Sequence, residues 1–220
     1  RKDTQGFLPE LMETMYEERK AFKKKMLEAK AALKTAVNPT PAETERMKLE
    51  ITKFHNFQLV RKIQLNSAFG ACGNQYFRYF DPEIAEAITI SGQLSIRWIE
   101  NSLNRFLNKT LKTEGKDYII ASDTDSVYIR LGDIVKQVMP KETDPQKITK
   151  FLNRFCNEVL QPLIDKEFTR LAEQQGAYAQ KMRMKREGIC SKGIWTAKKR
   201  YMLSVWMGED DVLLSKPETK

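Results

Sequence analysis

Tyr118-Ile119-Ile120-Ala121-Ser122-Asp123-Thr124-Asp125-Ser126-Val127-Tyr128-Ile129-Arg130-Leu131 is the stretch whose reading decides the fold. Two β-rich apolar runs, Tyr118 to Ser122 and Val127 to Leu131, flank Asp-Thr-Asp, which predicts a β-hairpin with the acidic pair at its bend. Both carboxylates then face one open edge. Hard cations such as Mg²⁺ prefer oxygen ligands and take one or two protein carboxylates, leaving positions for water and phosphates. Turn chemistry alone is the competing reading, because Asp caps bends with its own side chain. A calcium loop is excluded. Its fifth, sixth and twelfth positions would be Val127, Tyr128 and Ile134, where an oxygen ligand, a Gly and a Glu are needed.

Working outward, apolar residues upstream recur at Leu8, Met12, Met15, Phe22, Met26, Ala29 and Leu33, the spacing of an amphipathic helix to about Thr35. Arg19 interrupts that stripe. A charge in a seam is costly when buried, so Arg19 marks a local opening or is aimed at an anion, and Lys23 shares its face one turn on. Val37 to Glu43, with Pro39 and Pro41, breaks the helix, and Thr40 or a neighbour can cap a second helix from about Glu43 to Asn74. Asp81-Pro82-Glu83 opens a third helix to about Leu111. Downstream of the acidic hairpin the pattern predicts a helix from about Pro145 to Gln175 and then, from Met182, β-like stretches including Tyr201 to Trp206. The expected fold is α+β: a long antiparallel helical hairpin, residues 1–74, on a body with an antiparallel sheet and packing helices, residues 75–220.

The second helix carries Lys62, Asn66, Phe69 and Gly73 at intervals of four, three and four, so a cation, an amide, a ring and bare backbone share one face. Gly70 and Gly73 both fall inside the helical pattern, each costing about 1 kcal/mol relative to Ala. Tight packing or the close approach of another group would account for them.

The 220 residues can bury a real core, and 38 Lys+Arg against 29 Asp+Glu give net charge +9. That surplus is the footprint of a protein that sits on phosphates, or else of solvated helix faces. Cys72, Cys156 and Cys190 form no C-x-x-C pair, so neither a disulfide framework nor a zinc site is indicated and a reducing compartment is expected. No apolar run has the length of a membrane span, and no signal peptide opens the chain. A start at Arg1 without Met and a stop at Lys220 suggest cuts through a larger protein.

These motifs together resemble the family B DNA polymerases, most closely the branch found in T-even-type bacteriophages. Lys62-Ile63-Gln64-Leu65-Asn66-Ser67-Ala68-Phe69-Gly70 resembles the fingers motif K-x-x-x-N-S-x-Y-G. Asp123-Thr124-Asp125-Ser126 is similar to the palm metal motif D-T-D-S, and Lys198-Lys199-Arg200-Tyr201 to the primer-grip motif K-K-R-Y. The resemblance implies a template-directed DNA polymerase, with the helical hairpin as fingers and the rest as most of a palm. By that resemblance Arg19, Lys23 and Lys62 hold the nucleotide's phosphates, Asn66 supports the triphosphate, and Phe69 and Gly70 line the nascent base pair. Asp125, with Asp123 nearer the edge and Glu187 beside them, would hold metal. Lys198, Lys199, Arg200 and Tyr201 would grip the primer.

The implied cofactor is Mg²⁺, two ions in the complete enzyme, and the implied partners are primer-template DNA and deoxynucleoside triphosphates in the cytoplasm of an infected bacterium. Phe69 replaces the family's Tyr, removing a hydroxyl hydrogen bond, and Lys185 stands where near relatives are acidic. The first metal motif, D-x-x-S-L-Y-P-S, is absent, so its Asp has to come from the remainder of the polymerase chain or from a second subunit. The isolated chain is expected to be inactive. The alternative is a non-catalytic nucleic-acid-binding fragment.

Overall fold

The acidic stretch folds as a hairpin in the computed structural model, which describes residues 4–123, 125–197 and 199–220. β1 (Ile119–Asp123) and β2 (Ser126–Ile129) pair antiparallel, Asp123 opposite Ser126. The chain is α+β and divides into two units, 1–88 with 210–212, and 89–209 with 213–220.

In the first unit α1 (Phe7–Thr35) and α2 (Pro41–Cys72) pack along their lengths as an antiparallel hairpin. Thr40 ends the connection and starts α2 through a complete capping box. Its hydroxyl accepts from the Glu43 amide, and the Glu43 carboxylate accepts from the Thr40 amide. That backbone bond, with the Thr40 hydroxyl donating as well, holds the Glu43 carboxyl below its ordinary range. The helices meet through Phe22 against Phe57, ring centroids 5.2 Å apart, and an ion pair between Glu18 and Arg61. Gly73 is not inside the helix as the pattern suggested. It is the C-cap of α2, at φ −88°, a backbone any residue adopts. The unit continues past residue 74 because the Asp81 amide donates to the Cys72 carbonyl, at 2.9 Å, and Ala85 lies against Gly73.

The second unit is built on α3 (Pro82–Leu111), whose later turns bury Ile99, Leu103 and Leu107. Leu160, Ile164, Phe168 and Leu171 complete the main core, and Ile119, Val127 and Ile129 of the β-hairpin pack against it. A short helix, α4 (Gly132–Val138), follows β2 and had no counterpart in the sequence reading. The single helix expected from Pro145 to Gln175 is observed as α5 (Pro145–Phe155), a π-helical turn at Cys156–Leu160, and α6 (Gln161–Gln174). Pro162 explains the interruption. It has no N–H to donate and its ring would clash with the Glu158 carbonyl, so the preceding turn widens.

Glu167 locks α6 to α3. Buried at 6% exposure, it accepts from Trp98 Nε1 and Ser102 Oγ, each at 3.1 Å, and from Arg170 at 2.9 Å. Burial pushes its carboxyl up, but the Arg170, Ser102 and Trp98 donors outweigh burial and hold it below its ordinary value.

A three-stranded antiparallel sheet, β3 (Ile189–Ala197), β4 (Arg200–Met207) and β5 (Leu213–Thr219), has β4 at its centre and packs on α5. Among the described residues no helix is long and apolar enough to cross a membrane.

Candidate functional site

The acidic bend is set by its backbone. The Asp123 carbonyl accepts from the Asp125 amide and from Ser126 Oγ, closing the bend at the end of β1. Val127 and Ile129 face the helical core, and alternation along a strand turns Tyr128 to the opposite face. Asp125 is exposed and Asp123 half-buried, while Thr124 lies outside the described residues. Two carboxylates on one open turn suit a hard cation that keeps water and phosphate ligands. Among the described residues no group of three or more His, Cys, Asp or Glu encloses an ion site, so any ion here needs oxygen ligands from elsewhere.

The entry to β1 is pinned from α3. Asn104 Oδ1 accepts from the Tyr118 amide at 2.8 Å, and Asn108 bonds the Lys116 carbonyl at 2.7 Å and amide at 3.0 Å. Asp117 accepts from the Ile119 amide and from Asn104, bonds that hold its carboxyl low. Sequence reasoning missed these residues. Their signal was a pair of Asn one turn apart near the end of a helix that leads into a strand.

A second tight turn carries the basic residues. Ala197 pairs with Arg200, and Lys199 lies in the β3–β4 connection. Lys198 lies outside the described residues. Lys199 and Arg200 are exposed, and Lys199 holds φ +62°, a left-handed conformation that costs a non-glycine residue about 1–2 kcal/mol. Tyr201, the register partner of Trp195, faces Tyr128 of the acidic hairpin at 5.6 Å between ring centroids. Trp195 faces Tyr128 at 5.2 Å. Burial, the Tyr201 hydroxyl and the negative charge of Glu187 together push the Tyr128 phenol up to about 12. The acidic hairpin and the β3–β4 hairpin thus meet through Tyr128, Trp195 and Tyr201, with Asp125 three residues from Tyr128 and Lys199 two from Tyr201.

The first unit presents the other cluster. Glu18 opposite Arg61 and Phe22 opposite Phe57 fix the helix register, which brings Arg19 and Lys62 to the same crossing within about one turn. Arg19 is half-buried, and its Nε is buried with no hydrogen-bond partner among the described residues. Lys23 is half-buried as well. Lys62 and Asn66 are exposed, Phe69 is 43% exposed, and a Cβ added to Gly70 would meet nothing within 4 Å. Packing among the described residues therefore does not account for Gly70. Arg61, which sequence reasoning passed over, is the cation tied to Glu18, leaving its neighbour Lys62 without an acidic partner among the described residues.

Residues 1–216 match the DNA polymerase family B profile. The chain belongs to this family. The proteins it is similar to include the DNA-directed DNA polymerase of Enterobacteria phage T4, 40% identical over 70% of this chain and 18% of that protein. The DNA-directed DNA polymerase of Escherichia phage RB69 is 40% identical over 68% of this chain and 18% of its own length. DNA polymerase 1 of Pyrococcus abyssi is 27% identical over 92% of this chain and 20% of its length. The chain thus spans about a fifth of the length of the curated family B relatives it matches.

Proposed function

We propose that this chain is the fingers and palm portion of a template-directed DNA polymerase that adds deoxynucleotides to a primer 3′ end. In this reading α1 and α2, within residues 1–74, are the fingers, and residues 75–220 form most of the palm. The observation that supports it is the packing of Tyr128, three residues from Asp125, against Tyr201, two residues from Lys199, with ring centroids 5.6 Å apart. The turn at Asp125 suits metal-bound phosphate and the turn at Lys199 a nucleic-acid backbone.

Each residue's task in this reading is the one the resemblance implies, and its setting is compatible with that task. Lys62, Arg19 and Lys23 offset the negative charge of the incoming triphosphate, and Arg19 Nε, without a partner among the described residues, is a ready donor to a phosphate oxygen. Asn66, one turn from Lys62, donates to the triphosphate. Phe69 and the open backbone at Gly70 give a flat apolar surface against which a base pair can rest. Lys199 and Arg200 hold the primer backbone, with Lys198 adding to them and Tyr201 against the sugar. Two Mg²⁺ ions held by Asp125 and Asp123, with Glu187 nearby and a carboxylate from outside these 220 residues, would activate the primer 3′-oxygen and stabilise the departing pyrophosphate. That outside carboxylate comes from the remainder of the polymerase chain or from a second subunit, and the cytoplasm of an infected bacterium is the corresponding location.

Primer extension tests the reading. The 220-residue chain alone is expected to incorporate no nucleotide, and the complete polypeptide, or the chain supplied with its missing portion, to extend a primer in Mg²⁺. Incorporation by the isolated chain overturns the mechanism. Primer-template binding by the complete polypeptide with no incorporation favours a non-catalytic binding protein.

A further inference from the structure

The rings where β2 meets β3 and β4 carry a constraint that the proposed chemistry does not use. Gly193 lies two residues before Trp195 on β3 and so on the same face of the strand. It has no room for a side chain. A Cβ there would come within 2.5 and 2.7 Å of two Trp195 ring carbons and 2.9 Å of a Leu203 methyl carbon. The indole therefore lies over Gly193, where a bare backbone lets it sit down on the strand. Its Nε1 is buried and has no acceptor among the described residues, so shape and not a hydrogen bond holds it. From that seat the ring meets Tyr128 edge-on at 5.2 Å and Tyr201 at 6.4 Å, while Tyr128 and Tyr201 meet at 5.6 Å.

We propose that Trp195, seated on Gly193, is a positioning residue that sets the acidic turn at Asp123 and Asp125 against the basic turn at Lys199 through Tyr128 and Tyr201. This rests on the polymerase reading of those turns. The β1–β2 sheet has two strands, and a lone hairpin is marginal without support. Its Val127 and Ile129 face has the helical core. Its Tyr128 face has the Trp195 and Tyr201 rings of β3 and β4. At about 3.3 Å per residue, Asp125 lies within about 10 Å of Tyr128 along its strand and Lys199 within about 7 Å of Tyr201. A shift of the indole is thus delivered to both turns at once.

The test uses the complete polypeptide with Trp195→Ala, Trp195→Phe and the milder Gly193→Ala, and with Asp125→Ala and Lys199→Ala as markers of the two turns. Trp195→Ala is expected to lower single-turnover incorporation at saturating nucleotide by about tenfold or more and to weaken primer-template binding in the same variant, since small misplacements of reacting groups have effects of that size. Trp195→Phe keeps a ring on Gly193 and should stay within about threefold of the parent on both measures, while Gly193→Ala lifts the indole and should lose several-fold on both. Hydrogen exchange adds a readout independent of activity. Amides of residues 119–129 and 189–207 should exchange faster in Trp195→Ala and Gly193→Ala, with α6 unchanged.

The proposal is overturned if Gly193→Ala leaves rate, affinity and exchange unaltered. Uniform acceleration of exchange across the unit, or a Trp195→Phe defect as large as that of Trp195→Ala, also overturns it. If the two marker variants are themselves silent in rate and affinity, the polymerase reading fails instead, and local exchange still decides whether Trp195 couples the hairpins.

Discussion

The two units hold the side chains proposed for function by different means. In the first, α2 carries Lys62, Asn66 and Phe69 on an exposed face, and Met26, Gln58 and Cys72 are the unit's buried side chains among the described residues. In the second, the acidic and basic turns are exposed, but each grows from strands seated on a buried core or on packed rings. Helical spacing alone places the first set. The second depends on residues far away in sequence, so its turns should be vulnerable to changes deep in the fold while the helical face should not.

Glu167→Ala should sharpen this contrast most. It leaves the buried Ser102 Oγ and the part-buried Trp98 Nε1 as donors without their acceptor, and unfolding of the second unit should become easier by about 2–4 kcal/mol in a denaturant titration. A first unit that melts by the same amount would break the comparison. The pH dependence has a definite sign. The folded carboxyl of Glu167 lies below its unfolded value of 4.5, so its contribution is full above pH 4.5 and is lost as pH falls through the lower folded value. Glu167→Gln should therefore flatten the acid limb of stability below pH 4.5, measured by thermal melts across that range.

Lys62→Ala is expected to weaken nucleotide binding in the complete polypeptide by about tenfold, the loss of one charge-assisted contact, and to leave the melting temperature unchanged because the ammonium is exposed. Unaltered nucleotide affinity by titration would remove Lys62 from the site. Phe69→Tyr should have the smallest effect. The ring is 43% exposed, so a hydroxyl can be added without repacking, and incorporation should change by less than about threefold. A discrimination assay with mismatched nucleotides tells whether the restored hydroxyl sharpens selection.

Much of the fold was legible because it is local. Apolar spacing gave the long helices, Thr40 and Glu43 announced the start of α2, and alternation around Asp123 and Asp125 gave the hairpin. What escaped was non-local or brief. α4 is seven residues long with no side-chain cap, and the π-helical turn answers to Pro162, whose effect appears one turn upstream of its own position. Arg61 finds Glu18 forty-three positions away, which helical periodicity cannot reveal. Gly193 did carry a signal, a glycine in a strand pattern two residues from a Trp, but the partners that give it meaning lie on two other strands.

The most direct test sets Asp125→Ala against Lys199→Ala in the complete polypeptide, with primer-template titrated at several salt concentrations alongside single-turnover incorporation. Asp125→Ala should cut incorporation about a thousandfold or more, equivalent to about 4 kcal/mol of barrier, with affinity for primer-template within about twofold. Lys199→Ala should weaken binding alike for all sequences and lower the slope of log affinity against log salt by about one unit, since one phosphate contact is lost. Lys199→Gly separates charge from strain, because it removes the same cation while relaxing the +62° backbone. Full incorporation by Asp125→Ala, or an unchanged affinity and salt slope in Lys199→Ala, would contradict the division of labour between the two turns.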